Sequence, residues 1–111
     1  MSEPLVVLIT AGSQAEADRL AAALVGERLA ACANIVPGIT SVYRWEGEVK
    51  RDQEWLLVVK TELRALDDLE RRVRALHSYD VPEIIALPLV GGSEPYLEWL
   101  DASVAGYGQE M

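Results

Sequence analysis

Ile39-Thr40-Ser41-Val42-Tyr43-Arg44-Trp45, the turn Glu46-Gly47, and then Trp55-Leu56-Leu57-Val58-Val59-Lys60-Thr61 set the architecture of this chain. Both runs are rich in β-branched and aromatic residues. With turn chemistry between them they read as the two arms of a long hairpin within residues 31–61. Pro37-Gly38 marks a bend or bulge in the first arm. In the second arm Glu54, Leu56, Val58 and Lys60 share one face, and Trp55, Leu57, Val59 and Thr61 share the other. At ~3.3 Å per residue, arms of some 13 residues reach ~40 Å, whereas a domain of 111 residues has a radius of gyration of ~13 Å. The hairpin is therefore expected to overhang its own core. Tyr43, Trp45 and Trp55 lie on or near that overhang, where large aromatics left in water mark an interface. Unpaired strand edges there invite a neighbouring copy, and cyclic closure satisfies every edge at once. The other arrangement is a monomer whose hairpin curls back on its own sheet.

On the N-terminal side, Leu5-Val6-Val7-Leu8-Ile9-Thr10 is a continuous apolar run that reads as a strand buried on both faces. Ser13-Gln14-Ala15-Glu16 has the spacing of a capping box, and Ala17, Leu20, Ala21 and Leu24 continue a helix to about Leu29. After the hairpin, Leu66, Leu69, Val73 and Leu76 form one stripe of an amphipathic helix over Leu63 to Leu76. Asp67 with Arg71, Asp68 with Arg72 and Glu70 with Arg74 stand at i, i+4 on its solvated side. His77-Ser78-Tyr79-Asp80 is a loop, Val81 to Leu89 a strand, and Ser93-Glu94-Pro95 opens a last helix carrying Tyr96, Leu97, Trp99 and Leu100. The tail from Gly106 is expected to fray. The order β-α-β-β-α-β plus a terminal helix is the ferredoxin-like, α+β split pattern. It spans residues 1–111 as a single domain with an ordered core of about 4–104.

Composition narrows the function. Ten basic against 18 acidic residues give a formal charge of −8, which argues against nucleic acid, whose phosphates need a basic face. The shared βαββαβ order of RNA-binding domains is outweighed by that charge and by the absence of Phe. No apolar run is long enough for a signal segment or a membrane span, so the expected location is cytoplasmic. Cys32 is the only cysteine and His77 the only histidine. There is thus no internal disulfide and no CxxC site. A hydrolase built on Ser13 or Cys32 with His77 as base lacks the orienting third group that nucleophilic catalysis needs, and no enzymatic activity or organic cofactor is expected.

Four separated segments carry a resemblance. Glu27-Arg28-Leu29-Ala30-Ala31-Cys32-Ala33-Asn34-Ile35, Ser41-Val42-Tyr43-Arg44-Trp45-Glu46-Gly47, Trp55-Leu56-Leu57-Val58-Val59-Lys60-Thr61 and His77-Ser78-Tyr79-Asp80-Val81-Pro82-Glu83-Ile84-Ile85 resemble, in order and register, the CutA family of divalent cation tolerance proteins. The match runs from roughly Val6 to Leu100. What the resemblance implies is a homotrimer similar in architecture to the PII signalling proteins, with the hairpins packing between subunits. It also implies a link to tolerance of copper and other divalent cations. The loop expected as His-Pro-Tyr-Glu-Val-Pro-Glu departs at Ser78 and Asp80, while His77, Tyr79, Pro82 and Glu83 are in place.

Few side chains can carry the chemistry. His77 is a borderline metal ligand, or equally a histidine placed at a helix C-terminus. Cys32 is a possible thiolate ligand for Cu2+, or a small buried hydrophobe. A tetrahedral site needs four ligands, so a cation would draw Cys32, His77 and Glu83 from neighbouring copies. Lys60, Tyr79 and Glu83 are expected to converge at a cleft suited to a small anion or polar metabolite. An interfacial ion pair of Lys60 with Glu83 would use the same residues. Thr10-Ala11-Gly12-Ser13 before a helix is a generic anion site without a phosphate-loop or dinucleotide motif. Two functions stay open: a metal-responsive binding trimer, and a PII-like regulatory or structural trimer whose link to metal tolerance is indirect.

Overall fold

A computed structural model describes residues 2–107. Its elements are β1 (Pro4–Ala11), α1 (Gln14–Gly26), β2 (Cys32–Trp45), β3 (Glu48–Glu62), α2 (Leu66–Leu76, entered through a 3-10 turn at Leu63–Ala65), β4 (Ile84–Pro88) and α3 (Glu94–Ser103). The four strands form one sheet in the order β2-β3-β1-β4, with every neighbouring pair antiparallel. This is the ferredoxin-like arrangement expected from the element order.

β1 is apolar on both sides of its pleat because the two sides meet different surroundings. Val7, Ile9 and Ala11 turn to α1 and α2 and are fully buried with Leu20, Leu24, Leu57, Val59, Leu69 and Val73. Each such large aliphatic side chain contributes about 1.5–3 kcal/mol on burial. The opposite face carries Val6 and Leu8 of β1, Leu56 and Val58 of β3, Val36 of β2, and Ile85 and Leu87 of β4, as the cross-strand register sets. Helix α3 reaches only its Cys32 end, where Tyr96 stands beside Cys32, and Ile85 and Leu87 are each 49% exposed.

The hairpin turns through Glu46 at φ 51° and Gly47 at φ 80°. Two successive positive φ values belong to the primed turn whose twist matches its flanking strands. At Pro37-Gly38 the register slips between Val36 and Ile39, with Gly38 at φ 69°, which is the bulge expected there. β1 pairs β3 only over Trp55–Glu62. Ile39–Trp45 and Glu48–Glu54 therefore run on as a two-stranded extension, and the molecule measures 48 × 26 × 23 Å.

Local departures have packing causes. α1 stops at Gly26, short of Leu29, because Arg28 takes φ 60° and sends its guanidinium to the Ala102 and Ser103 carbonyls at 2.9 and 3.3 Å, satisfying the end of α3. Of the expected helix pairs only Glu70–Arg74 keeps the i, i+4 spacing, at 3.9 Å. Arg71 takes Asp68 at 3.0 Å, and Arg72 crosses to Glu27 at 2.9 Å, tying α2 to α1. β4 starts at Ile84, opposite Ile9, so Val81-Pro82-Glu83 remain in the loop. Gly106 and Tyr107 form a turn, and the rest of the tail expected to fray lies outside the described residues. No described helix is long and apolar enough to cross a membrane.

Candidate functional site: a cleft at the base of the hairpin

The site begins where β1 ends and α1 starts. Ser13 caps α1 by accepting the Glu16 backbone N–H at 3.1 Å, the first half of the capping box. The second half goes elsewhere. The Glu16 carboxylate accepts from the Gly12 N–H at 3.2 Å, the Ser78 N–H at 2.7 Å and the Ser78 hydroxyl at 3.1 Å. It thus fills the helix N-terminal anion site with a group of its own chain and staples the α2–β4 loop to it. Burial alone would raise the pKa of Glu16, but these donors outweigh it and hold the carboxyl below its ordinary value.

His77 is the second anchor of the loop. Its side chain is wholly buried. The Nε2–H donates to the Thr10 carbonyl at 2.7 Å, and Nδ1 accepts the Tyr79 N–H at 3.0 Å. The ring lies 4.7 Å from that of Tyr79. Tyr79 then reaches across Gly12 and donates its hydroxyl to Glu54 Oε2 at 2.7 Å. Burial first, and the carboxylate next, push the Tyr79 phenol well above its ordinary range.

Between this loop and the hairpin base opens a cleft of about 590 Å³. Thr10, Ser41 and Glu54 lie along it, Tyr43 and Trp45 line it from the hairpin, and Tyr79, Asp80 and Glu83 line it from the loop.

Of the expected cleft residues, Tyr79 and Glu83 line it and Lys60 does not. Lys60 sits opposite Val6 and Cys32, six residues along β3 from Glu54, or about 20 Å at strand rise. There its ammonium donates to the Asn34 side chain. The metal set is divided in the same way. Cys32, with Sγ 3.7 Å from the Tyr96 hydroxyl, is at the Lys60 end, whereas His77 and Glu83 are at the Thr10 end. Both His77 nitrogens are already engaged, and among the described residues no three His, Cys, Asp or Glu side chains are placed to hold a metal ion. Within one chain the residues present do not fit a resident divalent cation. Tyr43 and Trp45 are 40% and 47% exposed on the hairpin extension. Trp55 instead packs against the core of its own chain.

A family model described as CutA1 divalent ion tolerance protein matches residues 5–103. The chain belongs to the CutA1 divalent ion tolerance family. Among curated CutA1 relatives, the divalent-cation tolerance protein CutA of Thermus thermophilus is 61% identical over 95 residues, covering 86% of this chain and 92% of that protein. The chloroplastic protein CutA of Arabidopsis thaliana is 54% identical over 99 residues, 89% of this chain and 54% of that longer protein. The solved divalent cation tolerance protein (Cut A1) of Thermus thermophilus superposes with a TM-score of 0.90 at 57% identity, over 95% of this chain and all of that one. The α+β fold is thus the CutA1 fold, and the family is named for tolerance of divalent cations, not for an enzyme class.

Sequence reasoning missed Glu54, Asp80 and the second role of Glu16. Glu54 did carry a signal, as a carboxylate opening the otherwise apolar face Leu56–Val58. Glu16 carried none beyond its capping spacing.

Proposed function

We propose that this CutA1-family chain is a cytoplasmic, non-enzymatic homotrimer that serves in divalent-cation tolerance and binds a ligand in the cleft under its hairpin. The observation that carries the reading is the open face of the sheet. Val36, Ile85 and Leu87 are 41%, 49% and 49% exposed on it, beside Val6, Leu8, Leu56 and Val58. A continuous apolar face of that kind needs a cover, and closing three copies around it also gives the hairpin edges partners. Three copies follow the PII-like architecture that the resemblance implies. The lone Cys32 suits a reducing compartment.

Copper is the cation implied by the resemblance. Since His77 spends both ring nitrogens inside its own chain, a bound divalent cation belongs between copies, with Cys32 on the open face and Glu83 at its rim as ligands. The same observation favours the second reading, a regulatory trimer whose tolerance link is indirect. Native mass spectrometry separates them. The metal-free protein is expected as a trimer, and Val58→Lys as a folded monomer by circular dichroism. Added separately, Cu(II) or Zn(II) should saturate at a fixed count that Cys32→Ser lowers and His77→Ala does not. A monomeric wild type at micromolar concentration would end the trimer reading. Uptake without saturation would leave the indirect, regulatory one.

A further inference from the structure

With Lys60 at the far end of β3, the cleft lacks the one cation expected in it and is acidic. Its lining holds three carboxylates, Glu54, Asp80 and Glu83, and three aromatic rings, Tyr43, Trp45 and Tyr79, with no basic side chain among the described residues. Lys50 stands opposite Tyr43 in the hairpin register but does not line the cleft. Glu54 is the decisive group. It is 8% exposed, its Oε2 accepts the Tyr79 hydroxyl, and among the described residues no cation pairs with it and no donor reaches its Oε1. The residue is buried except where its second oxygen opens onto the cleft, and a carboxylate so placed, with no counter-charge beside it, is a ready partner for a cation that enters.

That cation is not a point ion. A bound divalent metal takes several oxygens at ~2.0–2.6 Å around one centre, and the carboxylates here do not gather into such a group. Spread along a cleft with ring faces between them, they match an extended ligand whose charged head meets Glu54 and whose body lies on the aromatics. The volume of about 590 Å³ suits a small organic molecule. We propose that the cleft binds an organic cation, an ammonium or guanidinium group on an apolar body, seated between Glu54 and the rings of Tyr43, Trp45 and Tyr79. This rests on the cleft reading above and names its ligand class.

The test is calorimetric titration of the full-length protein, in its solution assembly, with benzylammonium, benzyl alcohol and benzoate, which share a ring and differ in charge. Benzylammonium is expected to bind saturably, one per chain, about tenfold or more tighter than benzyl alcohol, as a hydrogen bond to a charged group warrants. Benzoate should not bind. Glu54→Gln, which keeps the shape and an acceptor for Tyr79, should weaken benzylammonium about tenfold. Glu83→Gln, on an exposed loop position where folding is not at stake, should weaken it less. Preferred binding of benzoate or benzyl alcohol would overturn the ligand class and leave the cleft reading standing. Absence of binding by all three would remove both. Benzylammonium affinity unmoved by either variant would assign the signal to the acidic surface at large and overturn the proposal. So would loss of assembly in Glu54→Gln, since a neighbouring copy's basic side chain would then be the occupant.

Discussion

Glu62 and Glu54 lie eight residues apart on β3, both carboxylates are buried, and only one of them has a cation beside it. Glu62 accepts the Ser2 hydroxyl at 3.0 and 3.1 Å and the Glu3 N–H at 2.8 Å. Arg64 stands 3.6 Å away and holds Asp101 at 2.6 Å. There the chain closes on itself, the start of β1 and the end of α3 meeting around one carboxylate. At the other end Glu54 has the Tyr79 hydroxyl and an open cleft. Burial of a carboxylate therefore does not by itself mark a site. What separates a structural clamp from a binding group is whether the chain supplies the rest of its partners.

Removing each carboxylate in turn tests this contrast at its strongest. Glu62→Ala strands the Ser2 and Glu3 donors over a new cavity and is expected to lower stability by about 3 kcal/mol. Glu54→Ala leaves a tyrosine hydroxyl facing water in the cleft and is expected to cost about 1 kcal/mol or less. Thermal unfolding at matched protein concentration measures both. Equal losses would erase the distinction.

Acid separates the two ends further. Glu16, at the cleft end, has a lowered pKa, so its stabilisation is complete above the ordinary value of 4.5 and disappears as pH falls through the lower folded-state value. Glu62 has a raised pKa, caused first by burial. Its ionised form therefore costs stability above that raised value, and the cost vanishes as pH falls below the ordinary one. Below pH 4.5 only Glu16 still loses stabilisation, whereas the cost of ionised Glu62 has already been relieved. In denaturant unfolding across this range Glu16→Gln should abolish an acid-dependent loss of stability seen in the wild type. An unchanged acid slope in that variant would mean that the Ser78 loop is not held through Glu16.

The smallest effect is expected from Gly12→Ala. A Cβ there would stand 3.0 Å from the Tyr79 hydroxyl oxygen, which moves the phenol off Glu54 at about 0.5–1 kcal/mol. Ultraviolet titration should then find one tyrosine returned toward its ordinary range. An unmoved titration would show that the cleft end yields elsewhere.

Much of this architecture was legible in the residues. Alternation in Trp55–Thr61 assigned the two faces of β3, Pro37-Gly38 located the bulge, and Ser13 located the start of α1. Tyr79 and Glu83 were recognised as cleft residues because both fall in the loop that enters β4. Lys60 does not line that cleft within its own chain, for a definite reason. A strand's period of two gives the face on which a side chain stands but not which end of the strand another loop will cross. Trp55, expected at an interface for its aromatic size, also packs against the core of its own chain because its place opposite Ala11 turns it there.

The kinds and order of the elements and the length of the hairpin could be read along the chain, because they depend on local propensity and hydrophobic period, which each segment carries alone; the resemblance to the CutA family lay in four specific motif segments instead. Folding was needed to make Glu16 close its own helix's anion site, to make His77 spend both nitrogens within the chain, and to leave the cleft acidic and aromatic with Glu54 at its floor. Those outcomes depend on which segments the topology β2-β3-β1-β4 brings side by side. Electrostatic and hydrogen-bond partners act over a few ångströms, so a pair 25 residues apart in sequence, such as Glu54 and Tyr79, exists only once the chain has folded.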